Sequence, residues 1–96
     1  MISANIPNEK RKAIYRRDGF RCALCDCTKT LQIHHYIPRG QGGSDDPMNL
    51  ITLCMYCHAH VHGNPLYDTP MTAEDVDQMI CEYLADYYAG DWYPFK

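Results

Sequence analysis

The chain has 96 residues and a formal net charge of −3, a length suited to one domain. Leu, Ile, Val and Phe supply only 17 of the 96 residues. That lies below the roughly 20% that marks a thin core, so aliphatic burial alone gives little stability. No apolar run reaches the length of about 18 that a membrane span needs, and the first residues lack an apolar signal core, which predicts a cytoplasmic protein with reduced thiols.

The charge is unevenly placed. Up to Arg39, eight Lys and Arg face three carboxylates, a net of +5; from Gly40 onward nine carboxylates face Lys96 alone, a net of −8. This asymmetry predicts a basic working surface and an acidic element turned away from it.

Along the chain, Pro7 followed by Asn8-Glu9-Lys10 marks a helix start, with Gly19 as the stop after about Arg17. Leu31 to Ile37 reads as a strand closed by Pro38. Residues 39–48 form a loop rich in turn formers, including Gly40, Gly42, Gly43 and Asp45-Asp46-Pro47. Those glycines suit either a close backbone approach to a partner or a flexible connector. Asn49 to Leu53 is a second strand or the approach to a helix, and Cys54 to His62 fits a short helix ended by Gly63-Asn64-Pro65.

The helix over about 72–89 has Thr72 as N-cap with Asp75 three residues on, acidic residues in its first turn, and Gly90 as its end. Val76, Met79, Ile80, Tyr83, Leu84 and Tyr87 form its apolar stripe, with Cys81 a small buried neighbour. The aromatic tail Asp91-Trp92-Tyr93-Pro94-Phe95 reads as a folded-back cap or a contact site.

Cys22-x2-Cys25 and Cys54-x2-Cys57 lie 28 residues apart. Each pair presents two thiolates from one tight turn, and two such turns complete a tetrahedron for a structural Zn2+. Such a site supplies the stability that the aliphatic count lacks. Cys27 complicates the first pair; it reads as a spare buried thiol. His58 and His62 are spaced to share one helix face, ready to chelate a metal, while His60 points elsewhere, to the surface. His34 and His35 sit at the end of the predicted strand. Three neutral imidazoles suit a divalent transition metal, and a further unligated His can take a proton from water near neutral pH.

Ile33-His34-His35-Tyr36-Ile37-Pro38, Gly42-Gly43, Asn49-Leu50-x2-Leu53-Cys54-x2-Cys57-His58-x3-His62 and the lead-in Arg17-Asp18-Gly19-Phe20-Arg21-Cys22 together resemble the HNH endonuclease family, in its zinc-bearing branch. The resemblance covers a core of about 17–63 and implies a single nuclease domain over 1–96. The implied fold is α+β: a small zinc-stabilised ββα-metal (His-Me finger) core with flanking N- and C-terminal helices.

The resemblance also implies roles. His35 is similar to the general base and His34 to the first-strand metal ligand. Asn49 is similar to the Asn that braces the loop and orients the base, or that ligates the metal in some branches. His58 and His62 resemble further ligands of a catalytic divalent metal (Mg2+, Mn2+, Ni2+ or Zn2+). Cys22, Cys25, Cys54 and Cys57 resemble the structural zinc site. Strand alternation would send His34 and His35 to opposite faces, so the base should lie across the phosphate from the metal, or the strand should be distorted.

The implied activity is hydrolysis of DNA phosphodiester bonds, nicking or cutting both strands, to 5′-phosphate and 3′-hydroxyl ends. Arg39 is then a phosphate contact, with Arg16, Arg17 and Arg21 on the wider DNA surface. A homodimer would permit double-strand cutting. Short proteins resembling this family occur in phages and mobile elements, which adds packaging or terminase proteins as partners and a bacterial or phage-infected host cell as the setting. The alternative is a non-catalytic zinc module that binds DNA or protein; it leaves His34, His35 and Asn49 without a role.

Overall fold

The computed structural model describes residues 6–95; residues 1–5 and 96, which the one-domain reading includes, lie outside the described residues. Helix α1 spans Asn8–Arg17, strand β1 Gln32–His35, strand β2 Leu50–Leu53, helix α2 Met55–Val61 and helix α3 Ala73–Tyr88. Short 3-10 turns occupy Arg39–Gln41, Pro47–Asn49 and Ala89–Asp91. The fold is a small α+β arrangement, and no described helix is long and apolar enough to cross a membrane.

Helix α1 ends where the sequence predicts. Gly19 and Phe20 both take left-handed backbone angles (φ 78° and 57°), and the Phe20 N–H donates to the Tyr15 carbonyl at 2.8 Å. Two successive left-handed residues turn the chain sharply out of the helix. Ile14 is the buried residue of α1; it packs with Ile6, Leu50 and Ile33.

β1 and β2 pair antiparallel, with Gln32 opposite Leu53 and His35 opposite Leu50. The strand is shorter than the predicted Leu31–Ile37 because β2 offers only four partners before Cys54 opens α2. Tyr36 still donates to the Asn49 carbonyl at 2.8 Å. All four β2 residues are buried, as a short continuous apolar run permits. Leu50 faces the α1 cluster, whereas Ile51 and Leu53 join Val76, Ile80, Leu84, Cys22 and Cys54.

The N-terminus of α3 carries the full reciprocal capping box of Thr72 and Asp75. Its buried stripe is narrower than predicted: Val76, Ile80 and Leu84 are buried, but Met79 and Tyr87 are exposed. Two layers meet only along one line of α3, so residues flanking that line stay wet. Cys81 is half-buried rather than enclosed. The tail folds back as a cap: Trp92 packs its ring 5.6 Å from Tyr36 and its indole N–H donates to the Met48 carbonyl at 2.8 Å.

Arg17 corrects an expectation. It was expected on the DNA surface, yet its side chain is only 7% exposed. Its guanidinium donates to both Asp18 oxygens, to the Pro47 and Leu50 carbonyls and to the Tyr88 hydroxyl. Asp18 in turn accepts from the Thr52 N–H and the Tyr83 hydroxyl. Burial works against the Arg17 charge, but Asp18 and Tyr88 outweigh it and raise the guanidinium's pKa. The pair ties α1 to β2 and α3, and five hydrogen bonds to four residues occupy the guanidinium within the fold.

Candidate metal clusters and active-site cleft

The thiols come together as their spacing predicts. After α1, a tight turn folds Cys22 to Cys27 with bonds from the Cys22 N–H to the Cys27 carbonyl (2.7 Å) and from the Asp26 N–H to the Cys22 carbonyl (3.0 Å). The Ala23 N–H donates to the Thr52 carbonyl at 2.9 Å, which pins this turn to β2 beside Cys54. Cys54 is the N-cap of α2 and Cys57 lies in the helix. The sulfurs of Cys22, Cys25, Cys54 and Cys57 all fall within 4.8 Å of one another, and Cys27 is outside this group.

Crowding makes the thiols unequal. The Cys57 thiol stabilises the Cys22 thiolate, which lowers Cys22 to about 4. Cys57 is raised, first by that same bond and then by burial and the neighbouring sulfurs. Burial raises Cys25 to about 11. Four adjacent thiolates repel unless a cation sits among them, so the donor set fits a structural metal ion, and four sulfurs in a closed tetrahedron suit zinc.

The imidazoles of His34, His58 and His62 form a second cluster, again with ligand atoms within 4.8 Å. β1 supplies His34, and α2 with its C-cap supplies the other two. The His34 ring lies 5.3 Å from each of the other rings. Burial, then the neighbouring histidines, pushes His34 down to about 3, so the ring is neutral at physiological pH. Burial and His62 also lower His58. Neutral imidazole is the form that ligates a metal.

Gln32 was not foreseen from sequence. Its Oε1 accepts from the Nδ1–H of His58. That bond leaves the His58 Nε2 lone pair toward His62 Nε2, 3.1 Å away. A partner that fixes the tautomer and the ring is what metal-ligating histidines ordinarily have. The signal was present only as a period of two: Gln32 and His34 occupy the same face of β1.

His35 faces a different partner. Its Nε2 meets Asp45 Oδ1 at 2.8 Å, and Arg39 Nη2 donates to both Asp45 oxygens at 2.8 and 2.9 Å. Fully buried Asn49 clamps the intervening loop. Its Oδ1 accepts from the Ile37 N–H (2.7 Å), while its Nδ2 donates to the carbonyls of Ile37 (3.1 Å) and Ser44 (2.9 Å). Gly43 is required here for an internal reason: a Cβ at this position would lie 1.7 Å from the Ile37 carbonyl oxygen. The loop backbone closes on itself, and this closure by itself requires glycine at position 43.

His34, His35, His58, His62 and Arg39 border one open cleft of about 540 Å3, together with Arg11 and Tyr15 of α1. The alternation of β1 therefore does not separate His34 from His35: one ring turns to α2, the other to the loop, and both reach the same opening. Arg11 and Tyr15 were missed because only the packing of α1 against the hairpin, chiefly through Ile14 on Leu50, brings them here. Arg16 and Arg21 are exposed but lie outside the cleft lining, and Arg21 pairs with Asp26 at 3.5 Å. His60, expected at the surface, is buried, with its Nε2–H donating to the Met71 carbonyl at 2.8 Å. The segment after α2 wraps back over the helix and covers it.

The sequence is similar to known proteins over the segment that carries both clusters. A family model described as HNH endonuclease matches residues 22–64. Anaredoxin of Nostoc sp. is 36% identical over 64 residues, covering 62% of this chain and 84% of that protein. The type IV methyl-directed restriction enzyme EcoKMcrA of Escherichia coli is 41% identical over 39 residues, covering 41% of this chain and 14% of the enzyme.

Proposed function

Because the chain belongs to the HNH endonuclease family, we propose that it is a metal-dependent endonuclease that hydrolyses DNA phosphodiester bonds, with His35 as the general base. The observation that carries this reading is the shared cleft, in which a three-imidazole cluster and an unligated histidine stand together beside an arginine. DNA is the substrate that the family implies.

The residues divide the work. His34, His58 and His62 hold a divalent cation. That cation supplies Lewis-acid neutralisation of charge on the phosphate and on the leaving oxygen. His35 accepts a proton from a water, whose oxygen attacks phosphorus in line with the departing O3′. The P–O3′ bond breaks, the departing O3′ takes a proton from solvent water, and 5′-phosphate and 3′-hydroxyl ends result. Asn49 holds the loop that aims His35. Arg39, 37% exposed at the cleft edge, contacts the phosphate backbone, and Arg11 on the facing helix extends that contact. The four cysteines hold the structural zinc.

The test is incubation of the metal-loaded protein with supercoiled plasmid and Mg2+, Mn2+, Ni2+ or Zn2+, read as nicked and linear product. Wild type cleaves; His35→Ala binds DNA and metal equally well and leaves the plasmid supercoiled. Cleavage retained by His35→Ala removes it as the base. A protein that binds a single zinc on its cysteines and cuts nothing is the non-catalytic module instead.

A further inference from the structure

The general-base reading leaves one question of chemistry open within the site: which nitrogen of His35 is bare. A neutral imidazole carries one proton, and only the other nitrogen can accept one. Two groups approach the same His35 nitrogen. Asp45 Oδ1 lies 2.8 Å from Nε2, and Arg39 Nε lies 3.3 Å from it. The two make opposite demands. A carboxylate needs Nε2 to donate; a guanidinium N–H needs it to accept. The shorter, charge-assisted contact wins, and Arg39 satisfies its own charge through Nη2 on Asp45. Nε2 therefore carries the proton and Nδ1 has the lone pair.

Resting on the general-base reading, we propose that Asp45 is a positioning residue that selects the Nε2–H tautomer of His35 and so presents Nδ1 to the attacking water. Arg39 steadies the carboxylate from its other side. Asn49 places both partners: it bonds Ile37, two residues after His35, and Ser44, directly before Asp45. One buried amide thus fixes the two ends of the loop that carry base and carboxylate. Sequence reading assigned Asp45 only to a turn, because nothing local connects it to a histidine ten residues earlier. The arrangement follows a general rule: a base is oriented by a third group that holds its remote nitrogen.

The test has two arms, both on the full chain with zinc bound. Nitrogen NMR of wild type labelled at histidine reads the tautomer directly. The expected result is a protonated Nε2 and a bare Nδ1 for His35; a protonated Nδ1 overturns the proposal whatever the activity. The second arm measures cleavage of a short duplex by wild type, Asp45→Asn, Asp45→Glu and His35→Ala. Asn can turn its NH2 toward Nε2 and favour the other tautomer. Asp45→Asn is expected to lower kcat about 10–100-fold with KM, Mn2+ binding and melting temperature unchanged, and Asp45→Glu to recover part of the loss. Full kcat in Asp45→Asn beside an inactive His35→Ala overturns the role of Asp45 and leaves the base standing. An active His35→Ala defeats the base and the proposal with it.

Discussion

The two ligand clusters share helix α2 yet differ in almost every physical respect. Cys54 and Cys57 stand at its start, His58 and His62 toward its end. The thiol cluster joins the main hydrophobic core through Cys22 and Cys54, both essentially without exposure. The imidazole cluster opens into the cleft, with His62 exposed. Four anionic sulfurs close a coordination shell; three neutral nitrogens leave positions over. Each cluster has one exposed member, Cys25 or His62, so donor charge and donor number, not proximity or burial alone, distinguish the two sites.

Removing the first cluster should break the molecule. Cys54→Ser, or zinc extraction with a strong chelator, is expected to abolish the cooperative thermal transition followed by circular dichroism. Zinc sites of this type contribute several kcal/mol, which a thin core does not replace. Removing the second should break only the chemistry. His58→Ala is expected to lower plasmid cleavage at least about 100-fold, while the melting temperature stays within about 4 °C of wild type. A folded, fully active His58→Ala would erase the distinction between the clusters.

A similar contrast separates two Arg–Asp pairs of equal length. Arg17–Asp18 and Arg39–Asp45 both measure 2.8 Å, but their side chains are 7% and 0% exposed in the first pair and 37% and 27% in the second. Asp18→Asn leaves a buried guanidinium without its countercharge and is expected to cost about 3 kcal/mol in urea denaturation. The exposed pair contributes little to stability.

Acid gives the smallest effect and separates the clusters by their protons. Native His34 titrates near 3, against 6.5 in an unfolded chain. Between those values the unfolded state binds a proton that the native state does not, so stability falls as pH drops from about 6.5 toward 3. Urea denaturation at pH 7 and pH 5, with zinc on the cysteines and the imidazoles metal-free, should show wild type losing on the order of 1–2 kcal/mol more than His34→Gln. Equal losses would show that burial of His34 has no share in acid sensitivity.

Features governed by neighbours in sequence were legible in advance. Gly19 and the Thr72–Asp75 box mark helix ends because caps act within one turn. CxxC and the four-residue spacing of His58 and His62 announce chelates for the same reason. What eluded the sequence depends on pairing at a distance. Gln32 meets His58 only because the hairpin lays β1 beside α2. Asp45 meets His35 only because Asn49 closes the loop. Arg17, a plausible surface cation from its basic neighbourhood, turns inward because β2 presents the Leu50 carbonyl and Asp18 lies next to it. His60 is covered by a segment whose course no local pattern fixes.

Cys57 and His58 are consecutive residues, so a single peptide unit joins the two clusters. Thiolates are open to oxidants; imidazoles are far less so. That linkage hands the vulnerability of sulfur to the neighbouring nitrogens. Oxidation of the cysteines to disulfide or sulfenate would then be expected to loosen the helix carrying His58 and His62, and with it the proposed cation seat, without any modification of the imidazoles.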